Sequence, residues 1–164
     1  MDQRMSKDKY YLNIADAVLD RSTCLRRKYG AIIVKNDEIL STGYNGAPRG
    51  RVNCSQLGYC NREQLNIPSG QRYELCRSVH AEANAIISAA RRDILGGTLY
   101  LVGRSAADGE LLHDTTSCAM CRRMIINSGI TRVVNRIGDD GIEIIDVQNW
   151  IVNDESIQPK AEAE

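Results

Sequence analysis

The chain has 164 residues, the size of one domain with a single well-buried core. Its 43% hydrophobic and 26% charged residues exclude a largely disordered chain, and no stretch approaches the roughly 20 apolar residues of a membrane helix. The 21 basic and 21 acidic residues cancel, which argues against a nucleic-acid partner. The first residues lack the apolar segment of a secretory signal, so we expect a cytoplasmic protein without a membrane partner.

The beginning of the chain predicts a helix and a β-hairpin. Ser6 can cap a helix that runs to about Arg21. Its buried face is predicted from helical spacing to be Tyr11, Ile14, Ala15, Val18 and Leu19. Residues 29–35 and 38–44 predict two strands around the turn Asn36-Asp37.

Residues 45–77 form an insertion of different character. The segment is rich in Gly, Asn, Arg and Cys, shows no sustained periodicity and holds three of the six cysteines. A long irregular connection inside a compact domain is usually functional or held by a further restraint.

The remainder alternates between helical and strand patterns. Helices are predicted over 80–92, over 118–127 and around Trp150, and strands over 98–102, 130–135 and 141–147, with a polar loop over 103–117. The inward faces of the two longer helices are predicted to be Ala83, Ile86, Ile87 and Ala90 in the first, and Met120, Met124 and Ile125 in the second.

This order of elements predicts an α/β fold. Strand–helix–strand alternation after the hairpin implies parallel strands, and hence a three-layer α/β/α sandwich around a mixed five-stranded sheet. We expect a single domain over residues 1–152, followed by an acidic, disordered tail over 153–164.

Two short motifs at the starts of the longer predicted helices carry the chemistry. They are His80-Ala-Glu82 and Cys118-Ala-Met-Cys121. One His and two Cys at converging helix starts can hold zinc with a fourth position open, as in catalytic sites. Helix N-termini also favour thiolates there. Glu82 is poorly placed to ligate the ion with His80 but well placed to move protons.

Each motif alone has another interpretation. A His-x-Glu sequence occurs by chance, and a Cys-x-x-Cys sequence can be a redox pair or two inert buried thiols. The combination, in this order and with a strand between, favours a catalytic zinc, because this pairing is typical of zinc deaminases.

These motifs resemble the zinc-dependent cytidine and deoxycytidylate deaminases. The similar segments are His80-Ala-Glu-Ala-Asn-Ala-Ile86, Gly43-Tyr-Asn-Gly-Ala-Pro48 and Cys118-Ala-Met-Cys121. Residues 27–34 and the cysteine-bearing insertion are similar to the deoxycytidylate (dCMP) deaminase branch. The resemblance covers about residues 6–152 and implies a cytidine deaminase-like fold. Ser117 stands where the superfamily usually has Pro, whose loss costs rigidity but no ligand.

The resemblance implies hydrolytic deamination of dCMP to dUMP, a precursor for thymidylate (dTMP) synthesis. His80, Cys118 and Cys121 would hold zinc. Glu82 would move the proton of the zinc-bound water to N3 of the ring and then to the leaving amine. Asn45 would hydrogen-bond the sugar, although an Asn in this position can equally be a turn residue.

The 5′-phosphate of such a substrate needs cationic or backbone donors. The candidates are Arg26, Arg27, Lys28, Arg49, Arg51 and Arg91. We favour Arg26 and Arg91, because Arg91 lies three helical turns after His80 and its counterpart is close to the nucleotide site in the family. A solvated surface arginine is the alternative for each.

The other four cysteines are Cys24, Cys54, Cys60 and Cys76. Four thiolates can close a structural zinc site, which would also hold the insertion in place. Some family members carry a second, non-catalytic zinc, and Cys24 and Cys54 match ligand positions there. Cys60 and Cys76 complete the set in our hypothesis, and simple buried thiols are the alternative.

Other functions stay open at this point. The same chemistry could act on dCTP, on deoxycytidine or on an RNA base, although zero net charge argues against RNA. A catalytically silent, zinc-stabilised binding protein is a different class, and it would have no use for Glu82. The resemblance also implies a homo-oligomer, commonly a hexamer, with dCTP and dTTP as effectors and Mg²⁺ on the effector.

Overall fold

The computed structural model describes residues 3–157. The helices are α1 Lys7–Val18, α2 Cys54–Leu57, α3 Asn61–Gln64, α4 Ala81–Ile87, α5 Arg91–Ile94, α6 Ala119–Ser128 and α7 Val147–Val152. The strands are β1 Arg27–Lys35, β2 Glu38–Tyr44, β3 Thr98–Ser105, β4 Arg132–Ile137 and β5 Gly141–Asp146. Short 3-10 turns lie at Leu19–Arg21 and Tyr73–Leu75.

The five strands form one sheet in the order β2-β1-β3-β4-β5. Strand β1 is antiparallel to β2 and β3, β4 is antiparallel to β5, and β3 and β4 are parallel. The predicted mixed five-stranded sheet is therefore confirmed. The parallel pair is the one that a helix, α6, connects, as a crossover requires.

Each face of the sheet buries its own apolar cluster. On one face, Tyr11, Leu12 and Ala15 of α1 pack against alternate residues of the central strands, such as Ile32 and Val102. On the other face lie Ala81 and Ala85 of α4, Ile94 of α5, Ile125 of α6 and Val147 of α7, against Ala31, Ile33, Leu99, Leu101 and Val133. The three-layer prediction is confirmed.

Two glycines let helices approach the sheet closely, one on each face. A Cβ at Gly30 of β1 would lie 2.1 Å from the carbonyl oxygen of Ala15 in α1. A Cβ at Gly43 of β2 would lie 2.3 Å from the carbonyl oxygen of Ala81 and 2.4 Å from the backbone nitrogen of Ala85. The sheet thus sets the position of α4, the helix that begins after His80.

The predicted continuous helix over 80–92 is wrong. Helix α4 ends at Ile87, Ala90 is extended, and α5 begins at Arg91. Ile87 is 67% exposed and Ala90 is exposed, whereas Ala85 and Ile94 are fully buried. The break turns the chain so that Ile94 enters the core, and this packing outweighs the helix propensity of the alanines.

Smaller differences concern element ends and faces. Strand β3 continues to Ser105, so the polar loop begins later than predicted, and β4 ends at Ile137, two residues later. Leu12 of α1 is fully buried, although the predicted buried face of this helix did not include it. Met120 and Met124 are only half-buried in α6. No helix within residues 3–157 is long and apolar enough to cross a membrane.

The insertion is ordered by its own polar contacts. Arg62 is 5% exposed and donates hydrogen bonds of 2.7 to 3.1 Å to the carbonyl oxygens of Pro68 and Gln71. Asn61 Nδ2 donates to the carbonyl of Leu75, and Arg77 donates to the carbonyl of Val52. These bonds fold the aperiodic segment without a long helix or strand.

The predicted disordered tail falls mostly on residues 158–164, which lie outside the described residues. Residues 153–157 follow α7, and Glu155 forms an ion pair of 3.1 Å with Arg122 of α6. The acidic segment therefore begins in contact with the domain.

Candidate active site

The start of α4 and the start of α6 meet beside the sheet. His80 is the N-cap residue of α4, and Cys118 is the N-cap residue of α6. Both have extended backbones, so Cys118 precedes the helix, and only Cys121 lies in its first turn. The Cys pair therefore does not share one face within a helix, as the spacing suggested. It brackets the helix N-terminus instead.

The three predicted ligands converge. The Sγ atoms of Cys118 and Cys121 lie 3.5 and 3.4 Å from Nδ1 of His80. All three ligand atoms lie within 4.8 Å of one another. Ligand atoms of a tetrahedral zinc ion lie roughly 3.3–3.8 Å apart, since Zn–N and Zn–S bonds measure about 2.0–2.3 Å. The spacing and the N/S donor set therefore fit zinc.

The ionisation of this group also fits a cation. A hydrogen bond from Cys121 and the neighbouring His80 lower the pKa of the Cys118 thiol to about 4, against the effect of burial. The same contact raises the pKa of Cys121, because a second thiolate beside the first is unfavourable. A divalent cation removes this conflict, since both sulfurs can then be thiolates.

Glu82 lies in the first turn of α4 and is 5% exposed. Burial raises the pKa of its carboxyl, while its own backbone N–H and the charge of His80 act in the opposite direction. Glu82 lines the same cavity as His80 and Cys118. The geometry thus places a buried acid–base group beside the three ligands, and outside the ligand group itself.

The cavity beside the ligands combines the domain core with the insertion. Its walls from the core include Cys24, Arg26, Arg27, Tyr29, Asn45, Thr116 and Cys118. The insertion and the segment that leads to α4 add Cys60, Arg62, Ser69, Tyr73, Cys76 and Ser78. Three of these lining residues are arginines, Arg26 and Arg27 from the core and Arg62 from the insertion, so cationic side chains line the cavity although the chain is neutral overall.

Asn45 lines the cavity, but its amide is largely used within the fold. Its Oδ1 accepts hydrogen bonds from Ser22 Oγ at 2.6 Å and from the backbone N–H of Tyr29 at 2.8 Å. Its Nδ2 donates to the carbonyl oxygen of Arg27 at 2.9 Å. One N–H of the amide is left for a ligand, so the sugar contact stays a prediction.

The two favoured arginines lie in different places. Arg26 lines the cavity and pairs with Glu63 of the insertion at 3.0 Å. Arg91 does not line it. Because α4 ends before it, Arg91 instead donates to the carbonyl of Asn127 at 2.8 Å and lines a separate groove between α4, α5 and α6. Arg91 is therefore not three helical turns along the helix that follows His80, and its contact with the phosphate stays a prediction.

Three of the four remaining cysteines line the same cavity, and the fourth, Cys54, is buried. Cys24, Cys60 and Cys76 line it, and burial together with these neighbouring thiols raises the pKa of Cys54. Within residues 3–157, His80, Cys118 and Cys121 are the one group of three candidate ligands whose ligand atoms come within 4.8 Å of one another. The second zinc stays a prediction.

Two residues of the site were not predicted from the sequence. Tyr73 packs against the ring of His80, and Arg62 lies over the ring of Tyr73. Both belong to the aperiodic insertion, where no periodicity indicates which side chains turn inward.

Comparisons with known proteins agree with this site. Residues 5–136 match the family model described as the cytidine and deoxycytidylate deaminase zinc-binding region. The deoxycytidylate deaminase of Mycobacterium phage D29 is 39% identical over 132 residues, which are 77% of this chain and 91% of that protein. The deoxycytidylate deaminase of Enterobacteria phage T4 is 32% identical over 185 residues, covering 87% and 90%.

A solved structure shows the same fold. The dCMP deaminase of the cyanophage S-TIM5, in complex with dCMP and dUMP, is 26% identical, with a TM-score of 0.54 over 82% of this chain and 85% of that chain. The family model alone spans most of the chain, including all three ligands and Glu82. The chain therefore belongs to the cytidine and deoxycytidylate deaminase family, in the branch of the zinc-dependent deoxycytidylate deaminases.

Proposed function

We propose that this chain hydrolyses dCMP to dUMP and ammonia at the cavity beside His80, supplying the precursor for dTMP synthesis. The observation that carries the proposal is the convergence of the ligand atoms of His80, Cys118 and Cys121 beside a cavity that His80, Cys118 and the buried Glu82 line. The phage relatives are deoxycytidylate deaminases, and the cyanophage structure holds dCMP and dUMP.

His80, Cys118 and Cys121 would hold the zinc. When bound, zinc supplies Lewis-acid activation of water near neutral pH. Glu82 accepts a proton from the attacking water, passes it to N3 of the cytosine ring and then protonates the leaving amine. Its burial keeps bulk water away from the proton while it is transferred. The C4–N bond breaks, and the carbonyl of dUMP replaces the amine.

The substrate contacts are part of the same proposal. Arg26 binds the 5′-phosphate after it leaves Glu63, because a phosphate is a stronger partner for a guanidinium than one exposed carboxylate. Asn45 donates its remaining N–H to the sugar while its other bonds hold β1. Arg27 also lines the cavity, and its guanidinium pairs with Asp114 at 3.2 Å.

Two measurements test the activity. Loss of cytosine absorbance is followed with dCMP, dCTP and deoxycytidine as separate substrates, and we expect turnover of dCMP. Turnover of another substrate alone would indicate a related deaminase, and no turnover of any would indicate a binding protein. Glu82→Ala should keep zinc and lose roughly 10²–10⁴-fold in kcat. Near-normal activity of Glu82→Ala would contradict the mechanism, and the exposed Glu110→Ala serves as control.

We further propose that Cys24, Cys54, Cys60 and Cys76 bind a second, structural zinc. Cys24, Cys60 and Cys76 line one cavity, and the thiols of these three residues are close enough to Cys54 to raise its pKa, which supports this set. Metal analysis of the purified chain is expected to give two zinc ions per chain. One zinc per chain, with four freely titrating thiols, would reject the second site.

The proposal extends to assembly and regulation. The chain forms a homo-oligomer, a hexamer by resemblance, that responds to dCTP and dTTP with Mg²⁺ on the effector. It works in the cytoplasm, where reducing conditions keep its six free thiols available as ligands. Sigmoidal dCMP kinetics that become hyperbolic with dCTP would support the regulation.

A further inference from the structure

The insertion reaches the metal site through two stacked side chains. The rings of Tyr73 and His80 meet edge to face, with centroids 4.9 Å apart and an angle of 88° between their planes. On the ring of Tyr73 lies the guanidinium of Arg62, with its central carbon 4.5 Å from the ring centroid. Arg62, Tyr73 and His80 thus form a contact series from the insertion to a predicted zinc ligand.

The imidazole of His80 needs such a support. The torsion that rotates a histidine ring has broad minima, so the ring turns easily unless neighbours hold it. Metal-binding histidines are usually held by a hydrogen bond from the second ring nitrogen to a carboxylate or carbonyl oxygen. Within residues 3–157, the hydrogen-bond partners of the ring are sulfurs and not carboxylate or carbonyl oxygens: Nδ1 lies 3.5 and 3.4 Å from the Sγ atoms of Cys118 and Cys121, and the thiol of Cys76 is a third partner.

Tyr73 is itself held firmly. Arg62 is 5% exposed, and its Nε and terminal nitrogen donate to the carbonyls of Pro68 and Gln71, shortly before Tyr73. The planar guanidinium therefore fixes both the backbone that leads to Tyr73 and the ring of Tyr73, through a cation–π contact. The insertion is tied at this point to the ring that ligates the metal.

We propose that Tyr73 is a positioning residue for His80, and that Arg62 keeps Tyr73 in place. An edge-to-face contact fixes the plane of the imidazole and hence the direction of its Nδ1 lone pair. The proposal rests on His80 being a zinc ligand, and it adds a role for the insertion in metal binding and turnover. It requires the aromatic ring of Tyr73 and not its hydroxyl.

The test compares Tyr73→Leu, Tyr73→Phe and the control Tyr59→Leu, an exposed tyrosine in the same insertion. Metal affinity is measured by competition with a chromogenic chelator, and ligand geometry by the visible absorption of the cobalt-substituted protein. We expect Tyr73→Leu to lose about 10–100-fold in metal affinity or kcat, with KM changed less than about twofold and an altered cobalt spectrum. Tyr73→Phe and Tyr59→Leu should match the wild type.

Two results would overturn the proposal. The first is a Tyr73→Leu protein with wild-type metal affinity and cobalt spectrum. The second is a raised KM with unchanged kcat, which would mean that Tyr73 contacts the substrate and does not orient His80. If Tyr73→Leu does not fold, the same measurements are made on Tyr73→Met, whose long side chain fills the space without an aromatic ring. A wild-type chain that binds no metal would instead reject the zinc assignment, so the two failures are distinguishable.

Discussion

The side chain of Asn45 shows how one residue serves both the fold and the cavity. Its amide hydrogen-bonds to Ser22, in the turn after α1, and to two backbone groups of β1, the N–H of Tyr29 and the carbonyl of Arg27. The residue is 6% exposed. Removing the amide leaves Ser22 Oγ, the N–H of Tyr29 and the carbonyl of Arg27 without this partner. Each buried group left unpaired costs about 1–3 kcal/mol.

We therefore predict that Asn45→Ala lowers the free energy of unfolding by about 2–4 kcal/mol. Urea denaturation followed by circular dichroism measures this value. The exposed Asn153→Ala is the control and should change it by less than about 0.5 kcal/mol. An Asn45→Ala protein as stable as the wild type would show that the amide bridges contribute nothing to the fold.

For single residues, the sequence predicts the site residues that belong to motifs but not those whose position depends on packing. His80, Glu82, Cys118 and Cys121 could be predicted because their chemistry and short spacing are rare in combination. The positions of Arg62 and Tyr73 could not, because they depend on how an aperiodic segment folds. The spacing of the motifs also could not show that His80 and Cys118 are N-cap residues, which precede their helices.

The position of helix α4 depends on a glycine in strand β2. The glycine at position 43 lets the backbone of α4 approach the sheet, and α4 carries His80 at its start and Glu82 in its first turn. Gly30 has the same role for α1 on the opposite face, away from the metal ligands. The two glycines form a natural pair for an experiment.

We predict that Gly43→Ala and Gly30→Ala both lower the melting temperature, by about 5–10 °C, because the added methyl group clashes with helix backbone. Only Gly43→Ala should also lose bound zinc, since it displaces α4. Differential scanning calorimetry and metal analysis check the two parts. Equal zinc content in both variants would contradict the link between β2 and the site.

Helix α1 is fixed to the other face by a charged contact that depends on pH. Asp8 accepts two hydrogen bonds from Arg132 of β4, at 2.7 and 3.0 Å, and one from Tyr100 of β3 at 2.8 Å. The hydrogen bond from Arg132 lowers the pKa of Asp8, with a further contribution from Tyr100 and against the effect of burial.

Because the pKa of Asp8 is lower in the folded than in the unfolded chain, its contribution to stability is present above the unfolded pKa of about 3.9. The contribution is lost as the pH falls through the folded pKa. We predict that Asp8→Asn destabilises the chain at pH 7 and has a smaller effect near pH 3. Urea midpoints of both proteins at the two pH values measure the difference. A pH-independent difference would rule out the ionised pair.

The element order could be predicted from the sequence, whereas the end of α4 could not. Alternating periodicities identify strands and helices, and they predicted all five strands within two or three residues of their observed ends. The break before Arg91 follows from the burial of Ile94 in the core, a tertiary contact that local helix propensity does not encode. The same break moved Arg91 away from the cavity.

At the scale of the whole molecule, one apolar groove has no partner within the described residues. It lies between α4, α5 and α6, measures about 630 Å³, and is lined by Ile86, Ala89, Arg91, Ile94, Met120, Arg123, Met124, Asn127 and Ser128. The half-buried methionines of α6 were predicted to lie inside the domain. We expect the proposed homo-oligomer to bury them in an interface with a second copy of the chain.

We predict that Met124→Glu dissociates the proposed homo-oligomer, because a charge in a buried apolar interface is not compensated there. Light scattering at several protein concentrations measures the molecular mass of the assembly. The control is Met5→Glu, a substitution at the exposed end before α1, which should keep the wild-type mass. If Met124→Glu keeps that mass as well, the contact between copies lies elsewhere, and the exposed Ile142 and Ile144 of the edge strand β5 become the next positions to substitute.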